Sequence, residues 1–518
     1  MVFKEGPKES RFVLSKDVYS KVISKDHLLY RINEEIDFSF VNEECKDIYD
    51  PKIGREVRNY PEMMFKAEII QYMYGLSERQ LKEQVGENLV YRWFIGYELD
   101  DKVFHFTAPG KFRNALGEER HRKLFDQILE QFKEKGLLDE YENQSIDATE
   151  IIADIAIPTT IGLIKKAIVS ILRCYEGDCP IDREYYLGKK EKKEYKLTEK
   201  EKKLTLKKVV MDAKKLIEYF AHPDVKANEE TLESINQLRT ILKDYVKEVN
   251  EDKEPHYKER KKKGKDRIVS TVDKDARWGA KSDDKTFCGY KNHTSQTDRQ
   301  IITDVKVTPG NVPDDRELLP NLRRQKEKNL SPNKMRSDGI YGTIDNRKKA
   351  TEMGTKIIAP PRTSHNKGKY YSKEDFKYYP EEKKLVCPAG HKTNVRYWNK
   401  NGNAWVYHFD EKACKQCPKK SECTYAAHRT VSISKEYEIQ QEAIRYSKTE
   451  EYKEDMKVRA HIEPKQAEMK RFHKLKRAIY RGLERVNIQA IYTAIVVNLK
   501  RMVKLLDSGS YREDSNIS

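Results

Sequence analysis

Little in this sequence points to a membrane or to an oxidising compartment. No apolar run approaches the roughly 18 residues of a membrane-spanning helix, and Met1-Val-Phe-Lys-Glu-Gly-Pro-Lys8 lacks the apolar stretch of a signal peptide. Cysteine is scarce, 8 in 518 residues, and too unevenly placed for a disulfide framework. There is no internal repeat. These absences predict a soluble, cytoplasmic protein with no membrane partner. What the chain has in excess is positive charge: 102 Lys and Arg against 85 Asp and Glu, a net +17, with a pI near 9.1. That balance favours a polyanionic partner, and nucleic acid suits it better than a small acidic substrate. With 37% hydrophobic residues the chain is expected to be globular, divided into several domains.

Residues 1–130 read as a helical domain. Pro61 opens an apolar and aromatic pattern through Met64, Phe65, Ile69, Tyr72 and Met73, Gly75 closes it, and Ser77-Glu-Arg-Gln80 matches a capping box that starts the next helix. The pair is either a DNA-reading helix-turn-helix or an ordinary helical hairpin. From Ser145 the texture turns to strand, with Asp147 near its start. Residues 160–255 return to helix, carried by Ile161, Ile164, Ile168 and Ile171 and later by Leu232, Ile235, Leu238 and Leu242, and read as a helical insertion. Within it the Lys-rich run Lys189 to Lys208 reads as a solvated linker. After a basic linker, Lys258 to Lys265, strands are expected at Arg267–Asp273, Gln300–Thr308, Lys334–Asp338 and Lys356–Pro360, with a helix over Asp314–Lys328. Residues 366–435 read as β-hairpins holding four cysteines, and the chain beyond 436 reads as helical.

Arg459, Glu463 and Lys470 are spaced four and seven apart, which on one helix places a carboxylate between two cations on one face. Such a face can hold a metal and a phosphate together, although Arg, Glu and Lys at these spacings also make ordinary solvated helices. Upstream, Asp147 and Asp338 each fall where a strand delivers an acid to the edge of a mixed α/β core. Three carboxylates so placed can hold two divalent cations about 4 Å apart for phosphoryl transfer. The plainer uses are a strand-edge turn for Asp147 and an Asp-Gly turn for Asp338.

In these residues the chain resembles a DDE transposase of a bacterial insertion sequence, from the group whose last acid lies in a Tyr, Arg, Glu, Lys signature. Arg459, Glu463 and Lys470 match that spacing, while Met456 stands where the tyrosine is expected. Ser-Ile-Asp147-Ala-Thr, Asp273-Lys-Asp-Ala-Arg277, Gly289-Tyr-Lys-Asn-His293, Ser-Asp338-Gly-Ile-Tyr-Gly342, Tyr480-Arg-Gly-Leu-Glu-Arg485 and Asn498-Leu-Lys500 resemble the same group, as does the helical N-terminal region. The resemblance implies a ribonuclease H-like mixed sheet flanked by helices, over 140–365 and 436–507. It implies two Mg²⁺ (or Mn²⁺) on Asp147, Asp338 and Glu463, with Arg459 and Lys470 on DNA phosphate. It further implies cleavage at terminal inverted repeats, joining of the 3′ hydroxyl ends to target DNA, and at least a dimer on DNA. Two other readings remain: an inactive DNA-binding remnant acting as a repressor, and a stand-alone nuclease of the same fold.

Cysteine supplies a second constellation. Cys387, Cys414, Cys417 and Cys423 include one two-residue gap of the zinc-knuckle kind, and four thiolates can close a tetrahedral Zn²⁺ site, with His391 or His408 as a substitute ligand. A small β insertion with little core of its own gains most from such a metal. Cys45, Cys174, Cys179 and Cys288 stand apart and carry no assigned role.

Overall fold

In a computed structural model of the chain, residues 13–48, 59–188, 197–249, 256–261, 264–282, 284–361 and 370–509 are described. They fall into two units. The first comprises the described residues of Met1–Asp139, Ala148–Pro313 and Ile462–Ser518, the second those of Glu140–Asp147 and Asp314–His461. The architecture is mixed α/β, as expected, and none of the described helices is long and apolar enough to cross a membrane.

The first unit is organised around two buried helices. Pro61–Tyr74 starts with proline, where a missing N–H has no partner to lose, and ends at Gly75, whose φ of 63° is the left-handed cap that glycine favours. Nearly every side chain from Met63 to Met73 is buried, so this is a core helix and not a one-sided surface helix. The capping box at Ser77 and Gln80 forms as expected and opens Glu78–Glu87, which buries Leu81 and Val85 and exposes Arg79, Lys82 and Glu83. The second buried helix, Leu483–Ser508, stacks Tyr492 on Tyr72 with ring centroids 4.9 Å apart.

Leu483–Ser508 also covers the strand Ile302–Pro309, and here two asparagines do the work of a neighbouring strand. The Asn498 amide accepts from the Ile302 N–H at 2.8 Å and donates to its carbonyl at 2.8 Å; Asn487 does the same at Val307, at 2.8 and 3.3 Å. Backbone groups that would be orphaned at a covered edge are thereby satisfied. On its other side Ile302–Pro309 runs antiparallel to Lys285–Thr297, which pairs in turn with Arg277–Ser282. Gly289 lets Lys285–Thr297 approach Gln144–Ile152, since a Cβ there would sit 2.1 Å from the Ile151 carbonyl oxygen.

The helical insertion has its own core, in which Ile161, Ile164, Ile168 and Ile171 of Thr160–Cys174 meet Val209, Leu216, Leu238 and Ile241. Residues 189–196 of the Lys-rich run lie outside the described residues. From Glu199 that run is not a linker but the start of the helix Glu199–Tyr219, because Thr198 and Glu201 form a capping box and Leu206 and Val209 are buried. Residues 262–263 of the basic linker also lie outside the described residues. The strand expected at Arg267–Asp273 is absent. Buried Asp273 accepts hydrogen bonds from the amides of Asp275 and Ala276 and from the Tyr290 hydroxyl, so the segment ends in a side-chain-capped turn and the strand begins only at Arg277.

In the second unit the start of Gln144–Ile152 pairs in parallel with Lys334–Arg336, and Lys334–Arg336 pairs in parallel with Lys356–Ile358. The helices Leu318–Glu327 and Ile344–Glu352 flank these strands, and Ile146, Leu318, Leu322, Met335, Tyr341, Ala350, Ile357 and Ala359 form the core between them. The expected helix over Asp314–Lys328 is present, with a 3₁₀ turn, Asp314–Glu317, leading into it. The cysteine block holds two three-stranded antiparallel sheets, over Lys377–Tyr379, Lys384–Val386 and Lys392–Thr393 and over Arg396–Asn399, Ala404–His408 and Thr430–Ser434.

The single helix expected to carry Arg459, Glu463 and Lys470 is two helices, Glu450–Arg459 and Ile462–Phe472. Pro464 accounts for the break. In a continuous helix its ring would crowd the Ala460 carbonyl and leave it without a donor. With the helix interrupted, Pro464 falls in a first turn, where no donor is needed, and the amides of Ala460 and His461 close a tighter turn on Lys457 and Val458.

The asparagine bridges yield a direct test. Asn498→Leu leaves a buried N–H and a buried carbonyl unsatisfied, each worth about 1–3 kcal/mol, so urea unfolding of the variant is expected to show a loss of roughly 2–5 kcal/mol. A loss under about 0.5 kcal/mol, the level of an ordinary surface change, would contradict this account of the strand edge.

Candidate active site

Asp147 and Asp338 are brought together by strand register. Gln144 lies opposite Met335 and Ser145 opposite Arg336, where the paired strand ends, and Asp147 and Asp338 each follow two residues further along their own chain segment. The buried Tyr341 reports the same juxtaposition. Its phenol is pushed well above the usual tyrosine range, first by burial and then by the charges of Asp314, Asp147, Asp338 and Glu317. Four carboxylates of this unit therefore bear on one phenol, which stays neutral among them.

Asp338 also makes the Asp-Gly turn read from its sequence: Oδ1 accepts from the Ile340 N–H at 2.8 Å and the Tyr341 N–H at 3.4 Å. The turn aims the carboxyl off the strand end, so the structural use and a ligand role are compatible. Arg459, the last residue of Glu450–Arg459, places a guanidinium nitrogen 3.9 Å from Asp147 Oδ1, and each side chain is only 17% exposed. At that length the contact is an ion pair and not a hydrogen bond. The Arg459 Nε is buried and finds no acceptor among the described residues. Met456, where a tyrosine was expected, is half-buried on the same helix.

Lys470 and Glu463 lie on Ile462–Phe472 in the first unit, Glu463 exposed in its first turn. Within that unit Lys470 Nζ donates to Glu150 Oε1 at 2.9 Å, and Lys281 lies 3.8 Å from the other Glu150 oxygen. Burial acts to raise the Glu150 pKa, but the Lys470 hydrogen bond and the charges of Lys470 and Lys281 outweigh it and hold it below the usual glutamate range. The structure thus joins Asp147, Asp338 and Arg459 in one unit and pairs Lys470 with a carboxylate in the other.

Sequence reasoning missed Glu150, Tyr341 and Asp314. Glu150 lies three residues beyond Asp147 on one strand, and Asp314 comes three residues after Asn311 of the Pro309-Gly310-Asn311 turn, so position in the pattern offered a weak signal for both. Nothing in the sequence marks Tyr341 as the residue between the acids.

In the second unit Cys387, Cys414, Cys417 and Cys423 line one cavity of about 100 Å³, together with His391, Lys419, Lys420 and Arg429. All four thiols are free and partly buried. His408, considered as a substitute ligand, instead pairs with His428 at 3.1 Å. Among the described residues, no three His, Cys, Asp or Glu side chains are already arranged to hold a metal ion.

Comparison with family models gives two matches. Residues 17–115 match a transposase domain (DUF772), and residues 386–503 match a transposase DDE domain. The second match takes in the cysteines from Cys387 to Cys423 together with Arg459, Glu463 and Lys470. Two transposase domains matched on one chain indicate a DNA transposase. More particularly, the two matches support a DDE transposase of the insertion-sequence kind. No curated protein and no solved structure matches the chain.

Glu150 yields a prediction whose sign follows from its lowered pKa. Its ion pair stabilises the fold above the unfolded glutamate pKa of about 4.3 and is lost as pH falls through the lower folded value. Wild type and Glu150→Gln should therefore differ in urea midpoint at pH 7 and converge as the pH drops below about 4. A constant difference across that range would remove the ion pair from the stability of the unit.

Proposed function

We propose that this transposase binds the terminal inverted repeats of its own element, cleaves at the element ends and joins the resulting 3′ hydroxyls to target DNA. The observation that carries the reading is the delivery of Asp147 and Asp338 by neighbouring parallel strands, with Arg459 3.9 Å from Asp147. The reading takes the parallel strands and their flanking helices as the heart of a ribonuclease H-like core. Glu463 joins as the third acid on the strength of its place in the signature and in the DDE-domain match.

The donor set fits Mg²⁺ or Mn²⁺, because it consists of carboxylate oxygens, the hard ligands these ions prefer. Asp147, Asp338 and Glu463 would hold two such ions, which supply activation of the attacking oxygen and stabilisation of the leaving one. The protein's own groups then have separable tasks. Asp338 keeps Oδ1 on its turn amides and offers Oδ2. Arg459, with an unused Nε, grips the phosphate whose P–O bond breaks. Lys470 contacts the DNA backbone after leaving Glu150. Cleavage adds water across the P–O bond and leaves a 3′ hydroxyl; in joining, that hydroxyl loses its proton and bonds a target-strand phosphorus while the bond to the target's own 3′ oxygen breaks and that oxygen leaves as a 3′ hydroxyl, so no covalent protein intermediate is needed. The net charge of +17 suits the DNA partner, and bringing two element ends together calls for at least two copies on DNA.

Asp147→Asn, Asp338→Asn and Glu463→Gln are each expected to abolish cleavage of DNA bearing the flanks of the coding region, while binding of that DNA changes less than about threefold; losses of about 10²–10³-fold are usual when one charge-stabilising group is removed from such a site. Full cleavage by any one variant removes that residue from the site. Wild type that binds without cutting in Mg²⁺ is a repressor remnant, and wild type that cuts without joining is a stand-alone nuclease.

A structural Zn²⁺ on Cys387, Cys414, Cys417 and Cys423 belongs to the same reading. Two backbone turns shape the segments that carry the thiols: the Gly390 N–H bonds the Cys387 carbonyl at 2.8 Å, with Gly390 at a φ of 85°, and the Cys417 N–H bonds the Cys414 carbonyl at 3.3 Å. Lys419, Lys420 and Arg429 on the cavity offset the charge of four thiolates around a dication. The core beside them is small, built on Phe376, Leu385, Tyr407, Phe409, Val431 and Ile433, so a metal has much to stabilise. Elemental analysis of the reduced protein should find one zinc per chain, lost in Cys414→Ser with a lowered melting temperature. Metal-free wild type of undiminished stability would sink the assignment.

A further inference from the structure

Asp455 is buried, with its side chain 5% exposed, yet it takes no part in the chemistry described above. It lies on Glu450–Arg459, one helical turn before Arg459. Its Oδ1 accepts from Arg336 Nε at 2.7 Å, and its Oδ2 accepts from Tyr446 Oη at 2.6 Å and lies 3.3 Å from Lys334 Nζ. Arg336 is itself 5% exposed on its side chain. Lys334 holds a second residue of the same helix, Glu451, at 2.6 Å.

We propose that Asp455 is the positioning residue for Arg459, fixing the helix Glu450–Arg459 to the strand that delivers Asp338. Arg336 stands two residues before Asp338 and lies opposite Ser145, two residues before Asp147. A contact at Arg336 therefore ties the helix to both acid-bearing strands at a common point. Residues four apart on a helix share a face, so the face that carries Asp455 to Arg336 carries Arg459 to Asp147, 3.9 Å away. Tyr446 adds a third tie, from the preceding helix Tyr437–Tyr446.

Burial makes the arrangement intolerant of change. The charge of Asp455 offsets Arg336 and Lys334 in a region with little water, and removing one partner of such a buried group weakens the compensation of the rest. Asp455→Asn keeps the shape and one acceptor oxygen but removes the charge that holds two cations, so the helix end is expected to shift and carry Arg459 with it. The sequence disguised the residue, because Asp455 sits in a run of mixed charges, Lys453-Glu454-Asp455-Met456-Lys457, that reads as solvated surface.

The inference rests on the reading of Arg459 as a phosphate grip, and a double-mutant cycle separates the two. With a duplex carrying the flanks of the coding region and Mg²⁺, Asp455→Asn is expected to slow single-turnover cleavage by about 10²-fold, the scale of a misplacement near 1 Å, while the Kd for the duplex moves less than about threefold. In an Arg459→Ala background the same substitution should cost less than about twofold more, because the group it positions is gone. Losses that multiply across the two sites would overturn the proposal and leave Asp455 a stability residue. Unimpaired cleavage by Arg459→Ala alone would instead overturn the assignment of Arg459, and the positioning role with it. If Asp455→Asn does not fold, Tyr446→Phe removes one hydrogen bond from the same carboxylate and is read in the same cycle, with a smaller loss expected and the same non-additivity required.

Discussion

The parallel pairing of Gln144–Ile152 with Lys334–Arg336 is the constraint on which the candidate chemistry depends. A β-strand alternates its side chains between two faces, so a slip of one residue would send one of the two acids to the opposite side. The apolar neighbours oppose such a slip. Ile146 and Met335 are fully buried in the same core as Tyr341 and Ile357, and moving either out of register would expose it. Packing of aliphatic side chains thereby fixes the juxtaposition of two carboxylates that repel each other in the absence of a cation. Arg459 supplies some compensation to Asp147, and the turn amides supply some to Asp338.

The same economy of means recurs elsewhere in the chain. Polar groups that a sheet or helix would leave unpaired are met by specific side chains: Asn487 and Asn498 serve the strand Ile302–Pro309, Asp273 caps its own turn, and Arg347 donates to three carbonyls, of Gly342, Ile357 and Ala359, around the end of the last parallel strand. The cations of the proposed site are handled likewise. Arg459 rests near Asp147 and Lys470 on Glu150, so each basic group of the proposed site has a carboxylate beside it. In that proposal DNA phosphate would compete with these carboxylates, and salt weakens both kinds of contact.

Much of the architecture was legible because it depends on local rules. Pro61, Gly75 and the Ser77–Gln80 box set helix ends through backbone geometry and short hydrogen bonds, and all three act as read. Alternation at Gln300–Thr308 and the apolar run around Asp147 marked strands that form. The missing strand has its cause in tertiary competition. Arg267–Asp273 is β-prone by composition, yet Asp273 finds side-chain and backbone partners that suit a turn better than a ladder. The helix break before Ile462 was a local matter and visible in Pro464; there the attraction of a spacing outweighed the rule that proline resists a helix interior.

The sequence by itself determined the class of molecule: a basic, mixed α/β chain carrying acids and cations in the order of an insertion-sequence transposase, with four cysteines gathered late in the chain. Order and spacing are one-dimensional quantities, and a resemblance is carried by them. Only the tertiary structure decided that Asp147 and Asp338 follow neighbouring parallel strands and both bear on Tyr341, that Arg459 is held near Asp147 from a helix of its own, that Lys470 pairs with Glu150, and that Asp455 closes on Arg336. Each of those facts joins residues far apart in the chain through sheet register or burial, and neither leaves a periodic mark along the sequence. The physical reason is that a long-range pair is fixed by the packing of everything between its members, while a cap, a turn or a strand is fixed by its neighbours.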